Sequence, residues 1–151
     1  MSGVFRNVEG SPQAPVEEWP HEGLVATIER GTLGDWLPII HAIRDSPWGS
    51  VARRVESYLG YATPYGVGPL LQRTVKQARA DAQAREREAV AAEVRELMAR
   101  SGLSQQGFAQ AIGTSRSRLS TYASGKVTPA ATLLVRMRAA ADDAGRRAGG
   151  V

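Results

Sequence analysis

Residues 115–126 read Ser-Arg-Ser-Arg-Leu-Ser-Thr-Tyr-Ala-Ser-Gly-Lys, a stretch with three cations, several small hydroxyls and no carboxylate. An arginine fork can pair with the N7 and O6 acceptors of a guanine edge, and serine or threonine can reach base edges or phosphate oxygens. That is the chemistry of polyanion binding. Catalysis needs other parts: a carboxylate pair, a nucleophile beside a base, or a glycine-rich phosphate cradle. None stands at the required spacing. The two histidines, His21 and His41, have no ligand-spaced partner and read as structural or surface residues. The chain has no cysteine, which excludes disulfides, thiolate zinc and iron–sulfur sites. No enzymatic activity, metal or cofactor is therefore expected.

The charge is uneven along the chain. Residues 1–78 carry seven bases against eight acids, and residues 79–151 carry twelve against seven. Between Glu96 and Asp142 lie 45 residues with Arg100, Arg116, Arg118, Lys126, Arg136 and Arg138 and no acid. A basic run of this kind is the electrostatic footprint of a module that binds a polyanion. Met1–Gly10 has one arginine and no apolar core, so no secretory leader is expected. Nor is there an apolar run of about 18 residues, and no membrane partner is expected. The expected location is the cytoplasm, in association with the nucleoid.

The elements that must hold these side chains are helical. No run of β-branched residues alternates as a strand would. Residues 1–19, with Gly3, Gly10, Pro12 and Pro15, read as a flexible arm. Leu24, Val25 and Ile28 mark a short amphipathic turn or two before Gly31. The Thr32-x-x-Asp35 spacing predicts a capped helix over 33–45, with Leu33, Trp36, Leu37, Ile40 and Ile43 inward and a local kink at Pro38. Ser46-Pro47 predicts a second helix over 47–59 that buries Val51, Val55, Tyr58 and Leu59. Trp36 and Trp48 read as core or as an interface. A long helical stretch from Leu70 to Arg100, free of Gly and Pro, follows a turn-rich joint. Its solvated middle, about residues 79–85, reads as a helical linker, with a break near residue 80 or pairing with a second copy as alternatives.

Ser104 caps a short helix that buries Phe108, Ala109 and Ile112, Gly113 supplies a left-handed turn, and Ser115 caps a second helix that buries Leu119 and Tyr122. Two short helices about a glycine turn form a helix-turn-helix. At fixed spacing, Ser104, Gln105, Phe108, Ala109, Gly113, Ser115, Leu119, Ser120, Gly125 and Pro129 resemble the lambda-repressor-like (Cro/C1-type, XRE) family of DNA-binding domains. The resemblance covers about residues 86–141 and implies a bundle of four or five helices. One position departs from the pattern. Where the family usually carries Glu, with an implied backbone-positioning contact, this chain has Ala123. The resemblance implies that Gln105 bonds a phosphate and orients a side chain of the reading helix.

The expected architecture is all-α: a flexible arm over 1–19, a small N-terminal helical bundle over 20–78, a helical linker over 79–85, the lambda-repressor-like domain over 86–141 and a flexible tail over 142–151. The expected function is sequence-specific transcriptional regulation. A homodimer joined through residues 20–78 would read an inverted repeat in double-stranded DNA through the helix Ser115–Ser124. Its DNA-binding residues would be Gln105, Ser115, Arg116, Ser117, Arg118, Ser120, Thr121 and Lys126. The alternatives are an antitoxin-like autoregulator whose N-terminal half binds a partner protein, and a sequence-blind architectural DNA-binding protein.

Overall fold

A computed structural model describes residues 3–150, and its described residues form helices and turns without strands. Seven α-helices follow in order: α1 His21–Arg30, α2 Leu33–Asp45, α3 Ser50–Tyr61, α4 Val67–Ser101, α5 Gln105–Ile112, α6 Arg116–Ala123 and α7 Ala131–Gly149. The chain divides into two compact units, 1–82 and 83–151, and each has its own apolar core. Helix α4 contributes its first half to one unit and its second half to the other.

In the first unit, Leu24 and Ile28 of α1, Ile39, Ile40 and Ile43 of α2, Val51, Val55 and Tyr58 of α3, and Val67, Leu71 and Val75 of α4 share one core. The Thr32 box closes as its spacing predicts, with the Thr32 N–H donating to the Asp35 carboxylate at 2.9 Å. Pro38 lies within α2 without ending it. The inward stripe differs from the expected one: Trp36, Ile39, Ile40 and Ile43 face the core, while Leu33 and Leu37 are exposed. Helix α3 starts at Ser50, because Ser46–Gly49 forms a turn closed by the Gly49 N–H on the Ser46 carbonyl, 3.0 Å. Trp48 is exposed, and the Arg79 guanidinium covers its ring 4.9 Å from the centroid.

The segment expected to be a flexible arm packs instead. Val4, Phe5, Val16 and Trp19 are buried in the same core, and Phe5 meets Trp19 edge to face at 5.2 Å. Phe5 lies over Gly23 of α1, where a Cβ would stand 2.8 Å from its ring, so only glycine permits this approach. Polar bonds fasten the segment further: Arg54 donates to the Trp19 carbonyl at 2.8 Å, and the Trp19 indole donates to the Ala14 carbonyl at 2.9 Å. Of this segment, Met1 and Ser2 lie outside the described residues. The expected flexible tail is also structured, since α7 continues to Gly149; Val151 lies outside the described residues.

Tyr58 makes this unit sensitive to alkali. Its buried hydroxyl donates to the Glu29 carboxylate, and burial together with that neighbouring acid pushes its pKa up to about 12. The native state therefore keeps a proton that the unfolded chain releases near pH 10. The associated stability is fully present below pH 10 and is lost as pH rises towards 12. Denaturation midpoints measured across that window will fall for the native protein, and Tyr58→Phe will flatten the fall; an unchanged slope in the variant would refute the assignment.

Candidate nucleic-acid interface

The second unit builds its core from Val94 and Leu97 of α4, Phe108, Ala109 and Ile112 of α5, Leu119 of α6, and Met137 and Ala141 of α7. The local chemistry that shapes the turn is as expected. The Ser104 hydroxyl accepts the Gly107 N–H at 3.0 Å and caps α5. Gly113 follows with φ 77, and the Thr114 N–H reaches back to the Ala109 carbonyl at 3.0 Å while the Gly113 N–H reaches Gln110 at 3.2 Å. This pair of bonds closes a helix end through a left-handed residue, which favours glycine strongly because it has no Cβ. The Ser115 hydroxyl accepts the Arg118 N–H at 3.2 Å, opening α6.

Leu119 anchors α6 from within, and Tyr122 and Ala123 are half-buried beside it. The opposite side and the first turn carry Arg116, Ser117, Arg118 and Ser120, all exposed. Thr121 is half-buried and its hydroxyl donates to the Arg118 carbonyl at 2.6 Å, so only its acceptor lone pairs face other partners. Ser115 is similarly engaged as a cap, which leaves its hydroxyl proton as the free donor. Gln105 is half-buried in the first turn of α5, and Lys126 is exposed in the turn after α6.

The basic stretch is smaller in space than in sequence. Arg100 pairs with Asp142 at 2.7 Å, and Arg138 pairs with Glu93 at 2.7 Å. The hydrogen bond from Arg138 holds the Glu93 carboxyl below its ordinary pKa. These pairs join α4 to α7 and neutralise two of the six cations. Arg116, Arg118 and Lys126 form no ion pair among the described residues, and they lie on α6 or the turn that follows it. Among the described residues, no group of three His, Cys, Asp or Glu could hold a metal ion. His21 is exposed near Tyr61, 3.4 Å away, and His41 is exposed on α2.

A second set of contacts was not foreseen. Arg95 of α4 donates to the Ala123 carbonyl at 2.6 Å and to the Glu88 carboxylate at 2.8 Å. Glu88 and Arg95 stand two helical turns apart, beyond the one-turn pairing that sequence patterns usually register.

The family model of a helix-turn-helix domain matches residues 89–148. The C-terminal unit is a helix-turn-helix domain. No curated protein and no solved structure matches the chain. In this helix-turn-helix domain, α5 and α6 flank the glycine turn, and α4 and α7 close the core around them. Domains of this kind bind DNA. Of the four cations of the acid-free stretch without an ion pair among the described residues, Arg116, Arg118 and Lys126 lie on the second helix and its exit turn, while Arg136 lies on α7. No helix among the described residues is long and apolar enough to cross a membrane.

Proposed function

We propose that this protein is a sequence-specific transcriptional regulator of the lambda-repressor-like type, acting on double-stranded DNA in the cytoplasmic nucleoid. The observation that carries the reading is the exposed start of α6. It presents Arg116, Ser117, Arg118 and Ser120 with no carboxylate partner among the described residues, on a helix whose register Leu119 fixes from inside. A helix N-terminus of this kind enters the major groove with its first residues towards base edges. Arg116 reads a guanine, Ser117, Ser120 and Thr121 contact base edges or phosphate, and Arg118, Lys126, Gln105 and the Ser115 cap lie along the backbone.

One such module makes few base contacts, so a dimer is proposed to supply the remainder of the specificity. The support is apolar surface on the first unit: Leu33 and Leu37, one turn apart on α2, are 59% and 42% exposed. Light scattering that finds a monomer at micromolar concentration would rule out the homodimer. Selection of binding sites from a random duplex pool tests the whole reading. An enriched inverted repeat is expected, and its half-site spacing measures the separation of the two reading helices. Binding without enrichment would favour the sequence-blind alternative.

Affinity should also fall steeply with salt, by about 0.9 log units per log unit of salt for each phosphate neutralised. Lys126→Ala should weaken all duplexes alike and reduce that slope by about 0.9 for each copy bound. A titration in which the slope is unchanged would remove Lys126 from the interface.

A further inference from the structure

We infer that Arg95, held by Glu88, is the positioning residue for the C-terminal end of α6 and for the turn that presents Lys126. The inference rests on the DNA-binding reading of α6, but its geometry stands without it. The Arg95 guanidinium divides its donors between the Ala123 carbonyl, 2.6 Å, and the Glu88 carboxylate, 2.8 Å. Ala123 is the last residue of α6, where carbonyls lack intrahelical partners and the helix dipole leaves partial negative charge. A guanidinium suits this place, because its rigid fork serves two acceptors in fixed directions.

The turn beyond is tightly specified. Gly125 takes φ 80, and a Cβ there would lie 3.4 Å from the Ala91 Cβ of α4 and 3.7 Å from Glu88. The Val127 N–H returns to the Thr121 carbonyl at 3.1 Å. The chain thus reverses directly against the α4 turns that carry Glu88 and Arg95, and Lys126 sits inside that reversal. Arg95 thus holds the main chain at residue 123 from α4.

The ion pair itself is exposed, with side chains 48% and 65% accessible for Arg95 and Glu88, so it adds little to global stability. Its effect should be local. In full-length Arg95→Ala, hydrogen exchange of the Ser124, Gly125 and Val127 amides should quicken by up to about tenfold, while Phe108 and Ile112 amides keep their rates. Arg95→Lys, a point charge without the fork, should recover only part of the protection. The ratio of affinities for the selected site and a random duplex should fall severalfold in Arg95→Ala.

Unchanged exchange at the three amides, or equal quickening across the whole domain, overturns the inference. A loss of affinity that is the same for all duplexes, with exchange unchanged, makes Arg95 a phosphate contact instead. If the native protein prefers no duplex, the regulator reading fails while the exchange result still decides the role of Arg95.

Discussion

Arg116→Ala will cost about 1–3 kcal/mol of binding for each reading helix engaged, and the loss will be confined to one base pair of each half-site. The size follows from what the side chain has to give up. Arg116 is exposed in the first turn of α6 and forms no ion pair among the described residues, so no internal contact competes with a base for its fork. For the same reason its removal should leave folding within about 0.5 kcal/mol of native, the usual range for a surface substitution away from caps and core. Affinity and stability are thereby separated. The check is a competition series in which each base pair of the selected site is varied in turn. Native protein should discriminate at the one position assigned to Arg116, and the variant should treat all four base pairs there alike. If instead the variant loses the same affinity on every duplex, Arg116 contacts phosphate, and direct readout belongs to other residues.

What made α6 legible is that caps and turns are local. Ser104, Gly113 and Ser115 each act on backbone groups within a few residues, so their types and spacing carry the geometry without tertiary information. The charge pattern was less legible, because partners can be distant. Arg100 and Asp142 are 42 positions apart and Arg138 and Glu93 are 45 apart, so an acid-free stretch of sequence became partly neutral once α4 and α7 met. In α2, the stripe with Leu33 and Leu37 and the stripe with Ile39 both have helical spacing, and only packing selects between them. Val4, Phe5, Val16 and Trp19 follow no period at all. Among Gly and Pro they resembled a loose arm, yet they fill the first core. The role of Ala123 was opaque for a related reason: its carbonyl, common to every residue type, is the group that Arg95 holds.

The two cores share no residue, which sets up the largest expected effect on stability. Phe108 is fully buried at the centre of the second core, and truncating such a ring costs about 3–5 kcal/mol in lost burial and residual cavity. A unit the size of residues 83–151 has roughly 3–10 kcal/mol at the usual stability per residue, so Phe108→Ala removes a large share of it. All three tryptophans, Trp19, Trp36 and Trp48, lie in the first unit, whereas helical circular dichroism reports on both. In Phe108→Ala the dichroism melt should therefore acquire an early component, while the tryptophan fluorescence melt keeps its native midpoint. DNA binding should be lost with the early component, because α6 depends on that core for its register. A fluorescence midpoint that falls in step with the dichroism would mean that helix α4, common to both units, couples their unfolding into one transition. In that case the separation of the cores would be structural but not thermodynamic, and substitutions in the first unit would weaken DNA binding through stability alone.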